Sequence, residues 1–151
     1  MFERLTESAR RVMALANQEA EKLDREHVAT EHILFGLIKE GADVGAQVLK
    51  KFGVELHTVQ MEVEKYDKAT PEAPIMHEHY VPKIQTITEY AVEEARHLGN
   101  NFVGTGHIVL ALLREENGNA AAILTGMGVK MEDIRREVLE AIGHGTKSDE
   151  E

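Results

Sequence analysis

Val28-Ala29-Thr30-Glu31-His32-Ile33-Leu34-Phe35-Gly36-Leu37-Ile38 is the stretch on which the fold turns, because the chain contains it twice. It returns as Val103-Gly104-Thr105-Gly106-His107-Ile108-Val109-Leu110-Ala111-Leu112-Leu113, 75 positions on from Thr30 to Thr105. The same offset pairs Ala16 with Ala91, Glu19 with Glu94, Ala20 with Ala95 and Leu23 with Leu98. Beyond the quoted stretch it pairs Glu40 with Glu115, Ala46 with Ala121, Leu49 with Leu124, Gly53-Val54 with Gly128-Val129, and Glu62-Val63 with Glu137-Val138. Identities at one ungapped shift along most of a half-chain mean a duplication. The chain is one unit written twice.

Outward from that stretch, the apolar residues recur at helical spacing. Ala9, Val12, Met13, Ala16, Ala20 and Leu23 line one face of a helix that Thr6 can cap, with Glu7 in its first turn where the helix dipole favours an acid. A second helix opens at Thr30, itself a good cap residue; Ile33, Leu34, Leu37 and Ile38 form its stripe and Gly41 is placed to end it. Val44, Val48 and Leu49 predict a short third helix closed by Gly53 in a left-handed cap with Val54 folding back. Leu56, Val59, Val63 and Tyr66 predict a fourth. Residues 67–81 carry Pro71 and Pro74 and show no apolar period, so they read as a linker between repeat one (1–66) and repeat two (82–143). In repeat two Ile84, Ile87, Ala91, Ala95 and Leu98 copy the first helix, residues 103–113 the second, Ala120 to Leu124 the third, and Met131, Ile134, Val138 and Ile142 the fourth. Residues 144–151 read as an acidic tail or the start of a further linker. Nothing alternates with period two. The expectation is an all-α fold of about eight helices, as two four-helix repeats.

A half of this size would be marginal alone, whereas the whole chain can bury about 68–70% of its unfolded surface, so the repeats are expected to pack on each other. The net charge of −10, from 27 acidic and 17 basic residues, argues against a nucleic-acid partner and against a basic membrane-binding face. With no cysteine there is no disulfide, thiol nucleophile or thiolate metal site. The charged, amphipathic start is not a signal peptide and no apolar run approaches a membrane span, so a cytoplasmic protein is expected.

The residues carry no motif of catalysis. There is no phosphate-binding glycine loop ending in Lys-Ser or Lys-Thr, and no HExxH, GxSxG or SxxK. A hydrolase would have no nucleophile–base pair to stand on. His77-Glu78-His79 lacks nearby partner ligands and reads as solvated linker, so no metal or other cofactor is expected. His32 and His107, two residues past the threonines, read as hydrogen-bonding or packing groups at a helix start. The methionines read as core filling. Glu31 reads first as an acid in the opening turn of a helix, where the dipole stabilises it by about 0.3–1 kcal/mol.

Met1-Phe2-Glu3-Arg4-Leu5-Thr6, Ala29-Thr30-Glu31-His32-Ile33-Leu34, Leu37-Ile38-Lys39-Glu40-Gly41, Gly53-Val54 and Leu98-Gly99-Asn100-Asn101-Phe102-Val103-Gly104-Thr105 resemble the N-terminal domain of ClpC-type Clp unfoldases, from Met1 to about Gly143. The resemblance implies two four-helix repeats related by a pseudo-twofold. It implies a binding module that sits ahead of an ATPase ring, docks adaptor proteins and captures substrates for regulated proteolysis. It also implies recognition of arginine-phosphorylated proteins near the start of the second helix of each repeat. That maps onto Thr30 and Glu31 in repeat one and onto Thr105 in repeat two, where Gly106 takes the place of the glutamate. Helix-start N–H groups would hold the phosphate and the carboxylate the guanidinium. An exposed apolar patch containing Phe2 and Tyr80 is implied as well, against the plainer reading that each staples a helix. The alternative to a domain of an ATPase is a free-standing tandem repeat protein that regulates or stabilises a Clp assembly.

Overall fold

The computed structural model describes residues 4–69 and 83–144. Eight helices follow one another there: α1 (Glu7–Lys22), α2 (Thr30–Glu40), α3 (Val44–Lys51), α4 (Leu56–Ala69), α5 (Lys83–His97), α6 (Thr105–Arg114), α7 (Asn119–Gly126) and α8 (Met131–His144). The all-α, twofold-repeated reading holds. Among the described residues no helix is long and apolar enough to cross a membrane.

The helix ends follow local chemistry. The Thr6 hydroxyl accepts the Ala9 N–H at 3.1 Å and caps α1. Gly41 ends α2 at φ 76°. Gly53 and Gly128, at φ 81° and 83°, each turn the chain left-handed after the third helix of their repeat. The next residue then folds back: Val54 N–H donates to the Leu49 carbonyl and Val129 N–H to that of Leu124, both at 3.1 Å.

Two boundaries differ from expectation. Ala29, not Thr30, takes the cap position of α2, and Thr30 is its first helical residue. The fourth helix runs to Ala69, past the expected start of the linker at 67, because Asp67 is held against α2 as described below. Among the methionines, Met13 is buried, but Met61 is 57% exposed and fills no core. Leu98 is 40% exposed rather than part of a buried face.

The core is continuous through both halves. α2 and α6 lie at its centre, with Ile33, Leu34, Leu37, Ile108, Leu110 and Leu112 almost fully buried. α1 comes so close to α2 that a Cβ on Gly36 would lie 2.5 Å from the Val12 carbonyl oxygen. The short third helices cross over: α3 packs on α6 and α8 as well as on α2, and α7 packs on α2 and α4. Each repeat therefore completes the other. Backbone pairing adds a second tie, with Thr6 N–H donating to the Val103 carbonyl and Val103 N–H to that of Arg4, both at 2.9 Å.

Candidate functional site

The starts of α2 and α6 carry the residues singled out by the sequence. Neither Ala29 nor Gly104 has a side chain that can cap its helix. Instead, His32 bends back and its Nδ1 accepts the Ala29 N–H at 2.9 Å; His107 Nδ1 accepts the Gly104 N–H at the same distance. A ring nitrogen that accepts leaves the other to carry the hydrogen. His32 Nε2 therefore donates to Asp67 Oδ2 at 2.8 Å, and His107 Nε2 to Asn100 Oδ1 at 2.7 Å. Burial pushes the His107 imidazole down from 6.5 to about 4, which keeps it neutral as its acceptor role requires.

Capping by histidine frees the threonines for another task. Thr30 is 2% and Thr105 1% exposed, and both hydroxyls reach across to the opposite repeat. Thr105 Oγ1 accepts the Gly45 N–H at 2.9 Å and donates to Asp43 Oδ2 at 2.8 Å, at the start of α3. Thr30 Oγ1 accepts the Ala120 N–H at 3.0 Å, at the start of α7. Neither Asp43 nor Gly118 caps its own helix with a side chain. The third helix of each repeat is capped by a threonine of the other. Glycine at 118 is needed for this, since a Cβ there would lie 2.7 Å from Thr30 Oγ1.

Glu31 is 3% exposed and lies with His32 and Asp67 in a buried cluster. Burial pushes its carboxyl above the usual carboxylate range and the Asp67 carboxyl beside it adds to the rise, while its own backbone N–H, His32 and Asn119 pull the other way. Glu31, His32 and Asp67 make a geometrically plausible metal-ligand set, with one ligand atom from each inside 4.8 Å of the others. The tautomer argues against it. A metal would need the Nε2 lone pair, yet Nε2 holds the hydrogen because Nδ1 is occupied by the Ala29 N–H.

Repeat two is built differently at this place. The repeat offset sets Gly106 against Glu31 and Ile142 against Asp67. A Cβ on Gly106 would lie 3.0 Å from Ile142 Cδ1 and 3.5 Å from Val138 Cγ1. Two buried acids in one repeat are answered by glycine under isoleucine in the other. Asp67 escaped the sequence reading because it falls in the stretch taken as linker; its departure from the repeat, coinciding with that of Glu31, was the available signal. Phe2 and Tyr80 lie outside the described residues. An open depression of about 560 Å³, lined by Arg4, Val92, Arg96, Asn101 and Val103 among others, lies between the start of α1 and the end of α5 and contains none of the expected site residues.

Comparison with known proteins agrees with this architecture. The sequence profile of the Clp repeat (R) N-terminal domain matches residues 4–82 and again 79–151. The chaperone protein ClpB of Oceanobacillus iheyensis is 41% identical over 143 residues, which is 95% of this chain and 18% of that protein. The negative regulator of genetic competence ClpC/MecB of Bacillus subtilis is similar to the same degree, with the same coverage. The chain thus spans under a fifth of the length of these relatives. Among solved structures, the N-terminal domain of ClpD from Arabidopsis thaliana superposes with a TM-score of 0.76 at 25% identity, over 95% of this chain and 97% of that one. The Hsp104 N-terminal domain from Candida albicans, at 19% identity and a TM-score of 0.71, shares the fold. The family profile accounts for residues 4–151 as two copies of one repeat domain. Doubled sequence, doubled fold and doubled match lead to one statement: the chain belongs to the Clp repeat N-terminal domain family.

Proposed function

We propose that this chain is the substrate- and adaptor-binding N-terminal module of a Clp ATPase unfoldase acting in regulated proteolysis. The observation that carries the reading is the match of both repeats to the Clp repeat domain, with 41% identity to ClpC/MecB of Bacillus subtilis over 95% of the chain. A helical body joined across both repeats suits a docking platform. The reading is tested by exchanging this chain for the matching N-terminal region of the Bacillus subtilis relative. The chimera should retain adaptor-dependent substrate turnover, and the relative with that region deleted should lose it. A chimera that assembles and hydrolyses ATP but turns over no adaptor-delivered substrate overturns the reading.

Capture of arginine-phosphorylated proteins belongs, on this reading, to repeat one alone. Glu31 is the carboxylate that would meet the guanidinium, and Thr30 and the first-turn N–H groups of α2 stand next to it. In repeat two Thr105 remains, but Gly106 offers no charge and Ile142 occupies the space a side chain would need. Calorimetric titration with free phosphoarginine should give at most one equivalent, lost in Glu31→Ala. Gly106→Glu should add no second site. Absence of heat in the wild type would remove the phosphoarginine reading and leave the docking role to the chimera.

A further inference from the structure

The depression of about 560 Å³ between the start of α1 and the end of α5 lies apart from both helix starts. Its lining joins buried Ala95 and Val103 and half-buried Val92 to two exposed arginines, Arg4 and Arg96. Arg4 is steadied by one bond, its Nη1 donating to the Asn101 carbonyl at 3.1 Å, which leaves the rest of the guanidinium fork for a ligand. The Arg96 side chain makes no ion pair among the described residues. The acids beside it on α5, Glu93 and Glu94, are engaged by Arg114 and Arg135. Among the described residues no acid lines the depression, in a chain of net charge −10.

Repeat one supplies the comparison within the same molecule. The backbone turns alike in both places: Asp24 and its counterpart Gly99 take φ 59° and 74°, and the next N–H closes onto the Ala20 or the Ala95 carbonyl at 2.8 and 2.9 Å. The side chains differ in charge. The repeat offset sets Arg96 against Glu21, Gly99 against Asp24 and Asn101 against Glu26. Three exposed acids of repeat one are answered in repeat two by a cation, a glycine and a neutral amide. On the reading of the chain as a substrate- and adaptor-binding module, we propose that this depression docks an acidic segment of a protein partner. Carboxylates of the segment pair with Arg4 and Arg96, and an apolar neighbour lies on Val92, Ala95 and Val103. A guanidinium fork matches a carboxylate in two parallel bonds, which fixes orientation as well as charge. The acidic remainder of the surface sharpens the choice, since it repels a segment whose acids do not reach the two arginines.

The test is an NMR titration of the 151-residue chain with a short peptide of glutamate and leucine, beside the same peptide with glutamine for glutamate. The backbone amides of Arg96, Gly99, Asn101 and Val103 should shift with the glutamate peptide and stay in place with the glutamine one. Those of Glu21, Asp24 and Glu26 should shift with neither. Arg96→Glu, which writes the repeat-one residue into repeat two, should weaken the glutamate peptide by about tenfold, and Arg4→Gln by about threefold. Both side chains are exposed, so both variants should fold. Equal shifts with the two peptides, shifts centred elsewhere, or an affinity indifferent to Arg96→Glu overturn the proposal. The titration involves no ATPase. A negative result beside a chimera that turns over adaptor-delivered substrate would therefore strike this pocket and leave the binding module standing.

Discussion

Both ring nitrogens of His107 are engaged, one accepting from the Gly104 N–H and the other donating to Asn100, and that engagement needs a neutral ring. Its pKa falls from 6.5 to about 4 on burial. Between those values the unfolded chain binds a proton that the native chain refuses. The contribution is fully present above pH 6.5 and is lost as pH falls toward 4, for a total of up to about 3 kcal/mol. His107→Gln keeps a side-chain acceptor three residues into the helix but does not titrate. Urea unfolding at several pH values should therefore show the wild type losing its advantage over the variant between pH 6.5 and 4; a constant difference would refute the assignment. Glu31 acts with the opposite sign. Its raised carboxyl lowers stability as pH climbs above 4.5, so the two groups together narrow the range of greatest stability from both sides. The place of His107 as a hydrogen-bonding group at a helix start was legible in the sequence, whereas the burial of Glu31 was not. Asp67 was not, because its role depends on which helix the end of α4 meets.

Helix ends show why some element boundaries can be read and others cannot. Thr6, Gly41, Gly53 and Gly128 act on backbone groups a few residues away, so their chemistry is complete within a short window. Thr30 has the right chemistry for a cap and does not serve as one for α2. His32 takes that work, and the hydroxyl goes to α7, ninety residues along the chain. Gly36 is a tertiary requirement of the same kind, set by the approach of α1. A methyl group there would lie 2.5 Å from the Val12 carbonyl, a backbone atom that moves only if α1 moves. Gly36→Ala should gain helix propensity yet lose more by separating the helices, for a net destabilisation of about 1–3 kcal/mol in urea unfolding. Gly126 offers the control: it ends α7 with open space where a Cβ would go, so Gly126→Ala should be neutral or slightly stabilising.

At the level of the whole molecule, the crossing of α3 and α7 packs the two repeats into one another. The threonine caps sit at that crossing. Thr105→Val keeps the shape but strands the Gly45 N–H and removes a donor from Asp43. It should cost about 2–3 kcal/mol, and Thr30→Val, with one bond to the Ala120 N–H, about 1 kcal/mol. Because each hydroxyl caps a helix of the opposite repeat, either loss should shift a single unfolding transition seen alike by helical and tertiary probes. Two separate transitions, one per repeat, would contradict the crossed arrangement.

By itself the sequence determined the duplication, the eight helices, most of their ends and the family, because periodicity, turn glycines and repeated motifs act over short distances along the chain. Tertiary structure alone decided that Thr30 and Thr105 join the repeats, that Asp67 stands beside Glu31, and that Ile142 closes the matching place in repeat two. The physical reason is the same in each case. A buried polar group takes its partner from whatever surface is packed against it, and in this fold that surface comes from a distant helix, often of the other repeat.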